Sequence, residues 1–318
     1  MDNKIAIVTN SHRGLGFALV KHLCRWWHGT VYLTCPNEQR GRAAVKILRA
    51  LHLDPVFYCL DSRDYESVKK FSEFLKQKHG GLDMLLCNVS VSYGSDSLIS
   101  APERATHMIE INNFASALLC ECLLPLMRNK STLHFIYNMC GELSATGQDI
   151  VDSFDASTVS VDGLNGYLSN YLDAVETEGY AEEGWVEDPT EMSKIGLYAL
   201  SKIYKHKLKI DPRQIEVKYS CPTWFNEDVP ESAESIHRRK MSNVLNQMKP
   251  LKNLEIPRKP DDVACDLISL SLLPTGLMYR HRETSSVISG RLSTPKSNSR
   301  VSGSTTPSGF DLLREINL

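Results

Sequence analysis

Along the first two-thirds of the chain, short unbroken apolar runs alternate with longer stretches in which apolar positions recur every three or four residues. The runs are "KIAIVT" (4–9), "TVYLTC" (30–35), "PVFYCLD" (55–61), "LDMLLCN" (82–88), "STLHFIYNM" (131–139) and "IEVKYSC" (215–221). Their length and β-branched content predict strands, and the lack of polar alternation predicts strands covered on both faces. The periodic stretches predict helices over about 15–28, 40–53, 64–79 and 103–128, followed by one that carries Lys194. Strand and helix in strict alternation require right-handed crossovers and a parallel sheet. The predicted fold class is therefore α/β, a doubly wound parallel sheet in a single domain.

Two segments break the alternation. Residues 140–188 read as a polar excursion before the helix that carries Lys194. Residues 283–318 form a tail whose part "ETSSVISGRLSTPKSNSRVSGSTTPSG" (283–309) is rich in Ser and Thr. Such a composition cannot bury enough apolar surface to order itself, so the tail is predicted to be disordered. Arg291 near Ser293, and the Thr-Pro pairs at Thr294 and Thr306, are compatible with phosphorylation. "FDLLREINL" (310–318) would then serve as a short amphipathic anchor for a kinase or other protein partner.

Charge and cysteine usage narrow the field. A net charge of −2 and a pI near 6.6 favour neither nucleic acid nor a membrane surface as partner. The opening "MDNKIAIVTN" runs straight into a strand, and no apolar run is expected to span a membrane. Nine cysteines, with no Cys-x-x-Cys pair and no metal-ligand spacing, read as reduced thiols of a cytoplasmic protein without a metal.

In a sheet of this kind ligands bind beyond the carboxyl ends of the strands. The first strand leads into Thr9-Asn10-Ser11-His12-Arg13-Gly14-Leu15-Gly16. Gly14 and Gly16 would let backbone approach a pyrophosphate at a helix N-terminus, where free N–H groups and the dipole favour anions. Arg13 could meet an additional phosphate.

These residues, in this order, resemble the short-chain dehydrogenase/reductase family, and within it the monomeric NADPH-dependent carbonyl reductases. The resemblance runs from residue 4 to about 282. It includes "LLPLM" (123–127), an insertion ending "EGW" (183–185), "SKIGLYALSKI" (193–203), "CPTW" (221–224) and "LLP" (272–274). It implies a Rossmann-type domain over 1–282, an insertion over 140–188, and bound NADP(H). Thr9, Gly14, Leu15 and Gly16 fall in the family's phosphate-binding turn, with Asn10 in place of its first glycine. Arg13 matches a basic residue for the 2′-phosphate, whereas Pro36 replaces a second one. Asp61 matches an acid contacting adenine. Asn88 is retained in a segment where Val89 and Ser90 add bulk, and Pro222 and Trp224 match the nicotinamide side. Those departures imply weakened cofactor affinity.

The catalytic positions depart further. Asn112 matches the family's Asn, which holds a water and the lysine. Cys140 falls where a Ser polarises the carbonyl, with Ser144 nearby as a substitute. The proton-donating Tyr should lie four residues before a Lys, one helical turn away. Two registers offer such a Lys. Tyr198 and Lys202 have the right spacing and residue types, but Pro189 and its cap Asp188 predict a helix starting near 189. Lys202 then lies about 12 Å too deep along the axis. The gap-free match of "SKIGLYALSKI" instead puts Lys194 in the lysine's place and Thr190 in the tyrosine's. The reading is a carbonyl-reductase-like protein whose hydride-transfer activity is weak or lost. The alternative is an active NADPH-dependent oxidoreductase of carbonyls or quinones, using a non-standard donor or the Tyr198/Lys202 pair.

Overall fold

The computed structural model describes residues 3–89, 91, 99–137, 144–180, 183–220 and 260–272. Cys140, Pro222, Trp224 and the tail 283–318 lie outside these residues. Six strands form one sheet: β1 (Lys4–Val8), β2 (Gly29–Cys35), β3 (Val56–Cys59), β4 (Leu82–Val89), β5 (Met127–Tyr137) and β6 (Glu216–Ser220). Their order is β3-β2-β1-β4-β5-β6, and every pairing is parallel. The order reverses between β1 and β4, which opens the ligand crevice of a doubly wound sheet.

Helices cover both faces: α1 (Gly14–Trp26), α2 (Glu38–Ala50), α3 (Tyr65–His79), α4 (Ala101–Met108), α5 (Ala115–Leu123), α6 (Ala145–Ser153), α7 (Val161–Glu176), α8 (Pro189–Lys207) and α9 (Pro260–Leu272). One apolar core lies between the sheet and α3, α5, α7 and α8, with Phe71, Leu85, Phe135 and Leu200 among its members. A second packs Leu19, Leu33, Leu48, Leu86 and Leu267 between the sheet and α1, α2 and α9. Strands buried on both sides are thus the reason for the unbroken apolar runs.

Two expectations need correction. The stretch 140–188 is not a polar excursion: its described part forms α6 and α7, each capped by a serine, Ser144 and Ser160 respectively. Leu164, Tyr167, Leu168 and Tyr171 on α7 sit at most 2 % exposed in the first core. The apolar face was obscured by interspersed Ser, Asn and Gly. In addition, β5 starts at Met127 rather than near 131: Met127 pairs with Leu82, and a register shift before the Met84–Thr132 pair accommodates Lys130 in a left-handed conformation (φ 59°).

The stretch Ala101–Leu126 is, against expectation, long and apolar enough by composition to cross a membrane. Over half of its apolar window is buried within the domain, and it serves as a core helix. It is not regular α-helix throughout. Ile109–Phe114 widens into a π-helical turn between α4 and α5, holding Asn112 and Asn113 fully inside.

Candidate active site

The β1–α1 turn has the shape its sequence suggests. Asn10 adopts φ 46° and Gly14 φ 55°, the left-handed region that glycine enters freely and Asn better than most. A Cβ on Gly16 would stand 2.7 Å from the Asn10 carbonyl, the Asn88 amide and Ser11 Cα, so only glycine fits there. Thr9 and Asn88 lock the turn to β4. The Asn88 backbone N–H donates to Thr9 Oγ1 (3.0 Å), and Asn88 Nδ2 donates to the carbonyls of Thr9 (3.2 Å) and Asn10 (3.4 Å). Leu15 is buried against the second core.

Helix α1 carries no side-chain cap: Arg13 is its N-cap residue and is exposed. Its first amides are thus left for an external acceptor. Beside it, both ring nitrogens of His12 are buried without a partner. Burial, then Arg13, then Arg40, hold the His12 imidazole below its ordinary value. Arg40, in the first turn of α2, therefore brings a second cation to this end of the crevice, where Pro36 stands in place of the basic residue that the family resemblance led one to expect. The signal was available as a basic residue one turn past the Asn37 cap.

Asp61, just past β3, accepts from Arg63 at both carboxylate oxygens (3.2 and 3.0 Å), and this pairing holds its carboxyl below the usual range. Its backbone N–H is taken by Ser67.

Deeper in the crevice, three buried polar residues tie the π-helical turn to α8. Ser193 Oγ donates to Asn113 Oδ1 (3.0 Å) and accepts from Asn112 Nδ2 (3.0 Å). Asn113 Nδ2 donates to the Ser193 carbonyl (3.0 Å). Asn112 also brackets Val91, accepting from its N–H (2.9 Å) and donating to its carbonyl (3.1 Å). A Cβ on Gly196 would lie 2.5 Å from Asn113 Nδ2, so the two helices meet with no spare room. This clamp seats the residue before Lys194 and fixes the rotation of α8.

Helix α8 starts where Pro189 and Asp188 direct it. The Asp188 carboxylate accepts from the Thr190 amide (2.8 Å), and Pro189 occupies the first turn. Thr190 and Lys194 are half-buried and one turn apart near the start of α8. Tyr137, fully buried at the end of β5, donates its hydroxyl to the Thr190 carbonyl (2.9 Å). Ser144 caps α6: its hydroxyl accepts from the Gly147 amide (3.1 Å).

The other pair has a different arrangement. The Lys202 ammonium lies over the face of the Tyr198 ring, 5.0 Å from its centroid, and the ring packs edge-on against Tyr219 at 5.5 Å. That is a cation–π and packing contact. Between β5 and α8, Tyr167 packs tilted against Trp185 at 4.6 Å and Tyr171 packs edge-on against it at 5.8 Å, and burial pushes both phenols up. Among the described residues, no cluster of His, Cys, Asp and Glu could hold a metal.

Residues 4–170 match the model of the short chain dehydrogenase family. The chain is 32 % identical over 230 residues to human (Homo sapiens) carbonyl reductase (NADPH) 3, covering 69 % of this chain and 81 % of that one. It is 30 % identical over 232 residues to carbonyl reductase (NADPH) 1 of Sus scrofa, covering 72 % and 80 %. Salutaridine reductase from Papaver somniferum superposes with a TM-score of 0.67 over 86 % of this chain and 96 % of that one, at 20 % identity. With the family model spanning more than half of its length and a reductase relative 32 % identical over 230 residues, this chain belongs to the short-chain dehydrogenase/reductase family, as an oxidoreductase-type member resembling the carbonyl reductases.

Proposed function

We propose that this protein binds NADP(H) and that its hydride-transfer activity toward carbonyls or quinones is weak or lost for want of a proton donor. The cofactor end fits the group. The uncapped start of α1, the Gly16 cradle that a single Cβ would fill and the unpartnered His12 ring between two arginines suit a phosphorylated dinucleotide. Arg13 and Arg40 would meet the extra phosphate, and Asp61 and Asn88 would border the adenosine and the ribose. Once bound, NADPH supplies a hydride.

The observation that carries the reading is the state of the start of α8. Lys194 follows the buried Ser193 clamp, and the residue one turn before it is Thr190. A threonine hydroxyl is far less acidic than a phenol, whose ordinary value is about 10, and its loss as general acid costs on the order of 10²–10⁴ in rate. The ring-face geometry of Tyr198 and Lys202 argues against that pair as a replacement.

NADPH titration followed by thermal shift, and then a quinone-reduction assay, tests the reading. The expected result is saturable NADPH binding with turnover barely above background. Ordinary reductase turnover, or no NADPH binding, would overturn it.

A further inference from the structure

We propose that Cys35 and Cys59 form a peroxide-driven thiol–disulfide switch at the adenosine end of the crevice. Cys35 is the last residue of β2 and Cys59 the last of β3, and the two are direct partners in the parallel register. Paired residues on neighbouring strands stand about 4.8 Å apart with side chains on the same face. That spacing lies within the Cα range of a disulfide, about 4.4–6.8 Å. Because both residues end their strands, the small closure needed to join the sulfurs falls on the turns and spares the ladder.

The two sulfurs already converge on one dipeptide. Cys35 Sγ donates to the Asn37 carbonyl at 3.1 Å, and Cys59 Sγ donates to the Pro36 carbonyl at 3.5 Å. They also differ in the way a two-cysteine switch requires. Cys59 is exposed and open to an oxidant, whereas Cys35 is completely buried and reachable only by its neighbour. Burial holds the Cys35 thiol above its ordinary value, offset only in part by backbone groups at the start of α2 and by Arg40, so Cys35 suits the resolving partner that reacts second.

The chemistry balances with a hydroperoxide as oxidant. The Cys59 thiolate attacks the peroxide, its O–O bond breaks, and Cys59 becomes a sulfenic acid. Cys35 Sγ then attacks the Cys59 sulfur. The S–S bond forms as the S–O bond breaks, and hydroxide leaves with the Cys35 proton as water. Two thiols are oxidised by two electrons and one hydrogen peroxide is reduced to two waters. Forming the bridge withdraws both S–H donors from Pro36 and Asn37. Asn37 caps α2 by accepting from the Arg40 amide at 2.9 Å, so the turn that carries Arg40, whose charge reaches His12, shifts. This consequence for cofactor binding rests on the function proposed above; the disulfide itself does not.

The full-length protein is treated with hydrogen peroxide, alkylated and digested, and its peptides are mapped by mass spectrometry. The expected product is a Cys35–Cys59 crosslink, lost on reduction with dithiothreitol and absent from Cys59→Ser and Cys35→Ser. Oxidised protein should bind NADPH about tenfold more weakly than reduced protein, the scale of one misplaced charged contact. Cys59→Ser should bind equally before and after peroxide. A Cys59 that stops at sulfenic or sulfinic acid, or pairs with any other cysteine, overturns the switch. So does a crosslink that leaves NADPH affinity unchanged. Failure of the reduced protein to bind NADPH at all refutes the cofactor reading instead, and the crosslink map still decides the disulfide.

Discussion

Acid should unpin α9 from the sheet through one histidine. His134, on β5, is completely buried, with Nδ1 2.7 Å from Ser271 Oγ on α9 and Nε2 2.8 Å from Ser220 Oγ on β6. Burial, helped by the Lys218 charge, lowers its pKa from 6.5 to about 3, so the folded protein holds the ring neutral. The unfolded chain takes up that proton near its ordinary value. Between the two values the unfolded state binds more protons, so stability falls as pH drops below about 6.5. Going from about pH 7 to pH 5 should remove about 2 kcal/mol, and the loss would continue toward pH 3. For a domain of this size that lowers Tm by roughly 4–8 °C.

The assay compares Tm at the two pH values for wild type and His134→Gln, since the other titrating groups contribute equally to both and cancel. The variant should be less stable at neutral pH yet lose about 2 kcal/mol less on acidification. In wild type, the NMR shift of the His134 ring proton should stay that of a neutral imidazole at pH 5. Identical acid sensitivity in the two proteins, or a ring that titrates near 6.5, would refute the reasoning.

Three further outcomes are expected. Ser193→Ala deprives Asn113 Oδ1 of its buried donor, and urea unfolding should show a loss of about 1–3 kcal/mol. Arg13→Ala and Arg40→Ala should each weaken NADPH about tenfold by fluorescence titration while changing NADH little, because in the proposed complex both cations would meet the extra phosphate. Tyr198→Phe should leave whatever reductase activity exists unaltered, since the ring, and not the hydroxyl, makes the contacts with Lys202 and Tyr219.

The regular parts of the fold were legible because each is dictated locally. Unbroken apolar runs mark strands covered on both faces, and Asp188-Pro189 marks the start of α8 to the residue. Asn10 could be read as tolerating a left-handed turn, and it adopts one. What escaped depends on three-dimensional neighbours. No periodicity announces a π-helical turn, from which Asn112 and Asn113 both reach Ser193 across a helix interface closed by Gly196. Helix α7 hid its apolar stripe among Asn, Ser and Gly, and becomes evident only where Tyr167 and Tyr171 meet Trp185. Tyr198 and Lys202 have the spacing of a catalytic pair, yet spacing alone does not say whether an ammonium meets a hydroxyl or a ring face. The contribution of Arg40 was missed for a similar reason, since its charge reaches His12 across the gap between two turns.

The most direct test of a lost proton donor is to restore one. Single-turnover oxidation of bound NADPH by a carbonyl substrate would be compared for wild type and Thr190→Tyr combined with Cys140→Ser. Replacing the hydroxyl beside Lys194 with a phenol should raise the rate about a hundredfold or more. A wild type that already turns over rapidly, and that loses activity with Tyr198→Phe but not with Lys194→Ala, would contradict the account.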